Sequence, residues 1–128
     1  MDVLIDTHIL VWWWANDPKL PPRLRDLMEV EETLVYVSAV SALEMAIKVR
    51  LGRLPAMEHR VHQFDKGVIE DGFHHLNIHH EHARRAGLMA GEHRDPFDRV
   101  LAAQSLYERM PIISADPEMS RFGCEVLW

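Results

Sequence analysis

The chain has 128 residues, the length of one domain with a core of its own, and we read residues 1–128 as a single domain. Apolar residues at 48% and charged ones at 27% exclude a disordered chain, and the longest apolar run, residues 9–15, is too short to cross a bilayer. Fourteen basic against 20 acidic residues leave a net charge of −6, which disfavours a protein that grips duplex nucleic acid through a broad basic face but not one whose acids surround cations. The start, Met-Asp-Val-Leu-Ile-Asp, has no basic lead or small-residue cleavage site, so no secretory signal is expected. The single cysteine, Cys124, excludes an intrachain disulfide and a CxxC motif, and a reducing cytoplasmic location is expected.

Short apolar runs alternate with longer helix-like stretches, the pattern of an α/β domain around a mainly parallel sheet. Val3, Leu4 and Ile5 form a continuous apolar strand, as expected where helices cover both sheet faces. Thr7 is placed to cap a helix that carries Trp12, Trp13 and Trp14 and ends at Asn16-Asp17-Pro18. Three consecutive tryptophans cannot all face one core, so at least one is expected at the surface. Helix is predicted from about Pro22 to Glu32 and a second strand from Thr33 to Val37.

From Ala39 to Arg50 the apolar positions Val40, Leu43, Ile47 and Leu51 recur at helical spacing, with Gly52 as the stop. One helix is predicted over Met57 to Ile69, a weak strand near Phe73 to Ile78, and a helix from Glu81 to Ala90. Asp95-Pro96-Phe97-Asp98 opens a strong helix reaching about Arg109, with Pro96 at its first position. Pro111 to Ser114 is a further buried strand, and Cys124 to Leu127 a short edge strand. Strand order is not legible from one sequence.

Asp6 directly follows the first buried strand, and Asp116 follows the Ile112-Ile113 strand. In parallel sheets, ligands gather beyond the carboxyl ends of strands. Asp98 lies in a helix's first turn, and Glu44 about a turn and a half into another. Acids so placed can converge above the sheet, where oxygen donors suit Mg²⁺ or Mn²⁺. Plainer roles compete. Asp95 and Asp116 precede prolines as helix caps do, Asp98 suits a helix dipole, and Glu44 with Lys48 is an i,i+4 pair. Asp6 resists a plain reading, since an acid ending a buried strand must be hydrated, paired or metal-bound.

Five blocks carry a family resemblance. They are Leu4-Ile5-Asp6-Thr7-His8, Ser41-Ala42-Leu43-Glu44 with Ile47-Lys48, His93-Arg94-Asp95-Pro96-Phe97-Asp98-Arg99, Leu101-Ala102-Ala103-Gln104, and Ser114-Ala115-Asp116. With Val126-Leu127-Trp128 at the end, they span the chain in order. The chain resembles a PIN-domain ribonuclease, and more narrowly a VapC-type toxin of a type II toxin–antitoxin pair. The resemblance implies a three-layer α/β/α sandwich with a mainly parallel central sheet. It also implies metal-assisted endoribonucleolytic hydrolysis of RNA with Mg²⁺ (or Mn²⁺) as cofactor. The acidic quartet falls on Asp6, Glu44, Asp98 and Asp116, as both catalytic and metal-site residues. Asp95 is assigned to the helix cap, and exchanges roles with Asp98 if the register is a turn off.

Ser114 stands where many relatives carry threonine, and Thr7 and Ser114 are expected to hold a ligand or a water by hydrogen bonds. Removing the quartet's charge leaves −2, so Lys48, Arg94 and Arg99 are candidate phosphate contacts, each weighed against an ordinary surface cation. Two carboxylates about 4 Å apart repel by roughly 4 kcal/mol at an effective dielectric near 20, so bound cations should stabilise the fold. A homodimer and an inhibitory antitoxin are implied by the resemblance alone, and no membrane partner is expected.

Alternatives remain: a catalytically silent PIN-like RNA- or protein-binding module, or a housekeeping PIN nuclease without antitoxin. A receiver domain fits poorly because the last lysine is Lys66, and neither GxxxxGK[ST] nor GxGxxG occurs. His74, His75, His79, His80 and His82 form a dense run. HExxH is absent because Arg84 stands where its second histidine would, so adventitious metal binding is expected rather than a structural zinc site.

Overall fold

Five parallel strands form the sheet: β1 (Asp2–Ile5), β2 (Leu34–Ser38), β3 (His74–Leu76), β4 (Ile112–Ile113) and β5 (Val126–Leu127). Their order is β3-β2-β1-β4-β5. The computed structural model describes residues 1–92 and 94–128. Among the described residues, eight α-helices connect and cover the strands: α1 (Thr7–Ala15), α2 (Pro22–Glu29), α3 (Ala39–Arg50), α4 (Glu58–His62), α5 (Phe64–Glu70), α6 (His80–Leu88), α7 (Pro96–Glu108) and α8 (Glu118–Arg121). No helix among the described residues is long and apolar enough to cross a membrane.

The continuous apolar run of β1 is explained by burial on both faces. Val3 and Ile5 join Val35, Val37, Ile9, Leu10, Leu24 and Val68 in one core, so α1, α2 and α5 cover that face. Leu4 and Ile112 meet Leu101, Ala102 and Met119 in a second core, under α7 and α8. The result is the expected three-layer α/β/α sandwich, with every strand pair parallel.

Helix ends follow local chemistry with two corrections. The cap of α1 is Asp6, whose carboxylate accepts the Thr7 N–H, and Thr7 is the first helical residue rather than the cap. Asn16 ends α1 in the left-handed conformation at φ 52°. The helix expected over 57–69 is broken at Gln63, whose φ of −118° is non-helical, so it forms α4 and α5 instead. A 3-10 turn over Pro55–Met57 leads into it.

The tryptophans divide between interior and surface, with Trp14 buried and Trp12 and Trp13 half-buried. Trp14 is buried edge-on against Phe64, Trp13 packs on Phe73 beneath the Arg25 guanidinium, and Trp12 faces Trp128. Asp71 accepts both indole N–H groups, from Trp13 at 3.1 Å and Trp14 at 2.8 Å. Asp71→Ala should therefore cost about 1–2 kcal/mol, because it strips a partner from a largely buried indole. A lower urea midpoint, with tryptophan fluorescence as the probe, checks this.

The buried face of α3 is not the one its apolar spacing indicates. Val40, Ser41, Glu44 and Met45 point inward, while Leu43 and Leu51 are 53% and 49% exposed. Two polar residues displace leucines from the interior because the helix is turned to deliver them to the carboxyl end of the sheet. That rotation leads to the site.

Candidate active site

The connections from β1 run to one side of the sheet and β4 lies on its other side, so a crevice opens beyond the ends of these two strands. Asp6 leaves β1 into that crevice, and Ser114 and Asp116 leave β4 beside it. Ser114 Oγ donates to Asp6 Oδ2 at 2.7 Å, and the Thr7 N–H donates to Oδ1 at 2.7 Å. Ser114 Oγ in turn accepts the Asp116 N–H at 3.0 Å, and Asp116 Oδ1 accepts the Glu118 N–H at 2.9 Å. The Asp6 carboxylate is thus held by a hydroxyl and a backbone donor, and that of Asp116 by a backbone donor.

From α3 comes Glu44, buried to 6% exposure, with Lys48 Nζ on its Oε2 at 2.6 Å. Its Oε1 is buried and has no hydrogen-bond partner among the described residues. Ser41, one turn earlier, shares a 2.9 Å hydrogen bond with Thr7 Oγ1 and so ties α3 to the start of α1.

The first turn of α7 supplies two acids. Asp95 is its N-cap, accepting from Phe97 N at 2.9 Å and Asp98 N at 3.3 Å, while Asp98 sits inside the turn. The flanking cations go elsewhere. Arg99 donates through Nε to Ala86 O at 2.9 Å and through its terminal nitrogen to Met89 O, holding the end of α6. Arg94 and Arg99 line a separate open depression with Gly91 and Glu92. His93, in the same sequence block, lies outside the described residues.

Asp6, Glu44, Asp98 and Asp116 line one cleft of about 310 Å³, together with Asp95, Lys48, Thr7, His8, Val11, Trp12 and Leu54. Five acids and one lysine give the lining a formal charge of −4 when all are ionised. Burial pushes the Asp6 carboxyl up from 3.8 to about 6, against the Ser114 and Thr7 hydrogen bonds, and the Glu44 and Asp116 charges push it the same way. A buried carboxylate among like charges and an orphaned Glu44 oxygen fit a hard divalent cation with oxygen ligands. Magnesium and manganese are of that class.

His8 is a site residue that sequence reasoning left without a role. Its Nε2 accepts the Ala115 N–H at 3.0 Å, which puts the proton of the neutral ring on Nδ1, 3.5 Å from Asp6 Oδ2. Burial lowers its pKa despite the nearby Asp116, Asp98 and Glu44 charges, in keeping with the neutral form. His8 therefore bridges the segments after β1 and β4. Its position two residues past a strand-end acid was the available signal. Ser41 was missed too, and a serine three residues before Glu44 on the same helix face was its clue.

Comparisons with known proteins bear on this cleft. The PIN domain family model matches residues 3–123. No curated protein matches the sequence. Among solved structures, VapBC2 from Rickettsia felis, bound to a DNA fragment from its promoter, is similar with a TM-score of 0.73 and 12% identity, over 99% of this chain and 98% of that one. FitAB bound to an IR36 DNA fragment is similar with a TM-score of 0.66 and 18% identity, over 98% and 93%. At such identities these likenesses speak for the fold, and the family match rests on the sequence itself. The chain belongs to the PIN-domain family.

Proposed function

We propose that the protein is a metal-dependent endoribonuclease, the toxin of a toxin–antitoxin pair. The observation that carries the reading is the convergence of Asp6, Glu44, Asp98 and Asp116, from four separate elements, on one cleft. The donor set fits Mg²⁺ or Mn²⁺, with Asp6, Glu44 and Asp98 as the main ligands and Asp116 completing or steering the site. When bound there, such an ion supplies positive charge to the scissile phosphate and the departing oxygen and eases deprotonation of the attacking water.

The chain's own residues do the rest. Ser114 and the Thr7 amide fix both oxygens of Asp6, so its carboxylate cannot rotate away. Lys48 neutralises one oxygen of Glu44 and puts a cation at the edge of the cleft, within reach of a phosphodiester. Val11, Trp12 and Leu54 give the cleft an apolar wall that limits water on that side. Arg94 and Arg99 drop out as phosphate contacts in this reading, because they line a different depression and Arg99 holds backbone carbonyls.

The partner half of the reading rests on likeness to two toxin–antitoxin complexes, and it assigns the apolar wall beside the acids to an antitoxin segment. A homodimer is supported by the exposed apolar side chains of Leu43 on α3 and Leu51 at its C-cap. A cytoplasmic location agrees with these roles.

Incubation of the chain with defined RNAs should give cleavage with Mg²⁺ or Mn²⁺ and none with EDTA. Asp98→Asn should abolish it while melting like wild type. Asp95→Ala should instead lose about 1 kcal/mol of stability from the missing cap and retain more cleavage than Asp98→Asn. Cleavage left intact by Asp98→Asn at an unchanged melting temperature would remove Asp98 from the site. No cleavage of any RNA by a folded wild type would favour a silent binding module.

A further inference from the structure

Away from the acid cleft, the start of α6 and the end of α7 bring three ligand-type atoms together. His79 is the N-cap of α6 and His82 stands three residues on, so both rings project over the first turn. The rings stack with centroids 3.7 Å apart. From α7, Glu108 Oε1 reaches both, at 3.0 Å from His82 Nε2 and 3.7 Å from His79 Nε2. All three atoms lie within 4.8 Å of one another. Tyr107 sets its ring edge-on against both imidazoles, and the Arg85 guanidinium lies over that ring.

His82 is wholly buried, so the partners of its nitrogens matter. His82 Nδ1 accepts the His79 N–H at 3.3 Å, and His79 Nδ1 accepts the Glu81 N–H at 3.2 Å. In that state both rings carry their protons on Nε2, aimed at one carboxylate oxygen. The neighbouring Gln104 is poorly served. Its Nε2 lies 3.4 Å from Asn77 O and 3.5 Å from His82 Nδ1, and its buried Oε1 has no partner among the described residues. Turning the amide over and moving the His82 proton to Nδ1 gives Oε1 a donor, and the long Nε2 hydrogen bond to Asn77 O is given up. It also turns the lone pair of His82 Nε2 toward Glu108. A metal-bound histidine has this arrangement, with its second nitrogen donating to a carbonyl oxygen.

The geometry points to a transition-metal site formed by His79 Nε2, His82 Nε2 and Glu108 Oε1, with Gln104 Oε1 holding the His82 Nδ1 proton. Two imidazoles and one carboxylate suit Zn²⁺, or Co²⁺ as its probe, rather than Mg²⁺. Each neutral ring keeps one proton, transferred from Nε2 to Nδ1. The backbone N–H groups of His79 and Glu81, at a helix start, pass to water. The ion would tie the start of α6 to the end of α7. Arg99 already ties the other end of α6 to the first turn of α7, the turn that carries Asp98. The site is thus a structural clamp on an antiparallel helix pair and stands independently of the nuclease reading.

The test is a Co²⁺ titration of the untagged, metal-free chain, with excess Mg²⁺ present to occupy the acid cleft. Equimolar Co²⁺ should produce the intense visible absorption of a tetrahedral site, equally in wild type and Asp98→Asn. Zn²⁺ should erase that absorption and raise the melting temperature by roughly 5 °C or more at saturation. His79→Gln and Glu108→Gln, each with a wild-type circular dichroism spectrum, should lose the absorption. Its absence from wild type overturns the proposal. So does its persistence in both of those variants, which assigns the ion to exposed histidines, or its loss in Asp98→Asn, which assigns it to the cleft.

Discussion

Replacing Asp6 with asparagine should lower RNA cleavage on the order of 10³-fold, a loss comparable to removing a preorganised charge-stabilising group, while making the metal-free protein more stable. The two effects share one cause. Asp6 is 2% exposed and faces the charges of Glu44 and Asp116, and its carboxyl is pushed up to about 6. Asparagine keeps an oxygen for the Thr7 N–H and a hydrogen-bonding group for Ser114, yet carries no charge to bury. A rise from 3.8 to about 6 corresponds to about 3 kcal/mol, the upper bound on what the substitution relieves near neutral pH. Urea unfolding in EDTA, paired with a cleavage assay in Mg²⁺, checks both directions. An Asp6→Asn protein that cleaves normally, or that is less stable without metal, contradicts this account.

The second large effect is on stability against pH in the absence of metal. Because the folded pKa of Asp6 lies above its unfolded value, the native state holds this proton more tightly between pH 3.8 and about 6. Its contribution is full below that window and is lost as the pH rises through about 6. About 1 kcal/mol of the change falls between pH 5 and 7.5. His8 acts in the opposite sense, since its lowered pKa favours the fold as the pH rises through 6.5. The Asp6 part is therefore the difference between wild type and Asp6→Asn, measured by urea midpoints at both values. Saturating Mg²⁺ should remove that difference at pH 7.5 by favouring the ionised carboxylate. Parallel pH profiles for the two proteins in EDTA would mean that Asp6 is already ionised in the fold at pH 5.

Much of this architecture was legible in the residues because local and global signals agree. Val3 to Ile5 reads as a strand covered on both faces, and Asp95-Pro96 as a helix start, and both are so. Ala39–Arg50 has the predicted bounds, but its buried face does not follow from apolar spacing. Spacing of apolar residues ranks faces by hydrophobicity, and α3 instead buries Ser41 and Glu44, which only partners from distant elements can satisfy. Thr7 looked like the cap because its hydroxyl type suits one, whereas the preceding aspartate takes the role. The break at Gln63 has no glycine or proline to announce it. Likewise the histidine run alone does not show that His79 and His82 meet a carboxylate, since Glu108 comes from another helix.

One hydrogen bond has a consequence for synthesis. Ser114 holds Asp6 across a separation of 108 residues, and β1 obtains one of its two neighbours only when β4 exists. A nascent polypeptide that has not yet reached Ile112 has neither the β4 strand nor Ser114 and Asp116. Until then Asp6 lacks the hydroxyl that holds its carboxylate. Synthesis must pass Asp116 before the cleft is complete.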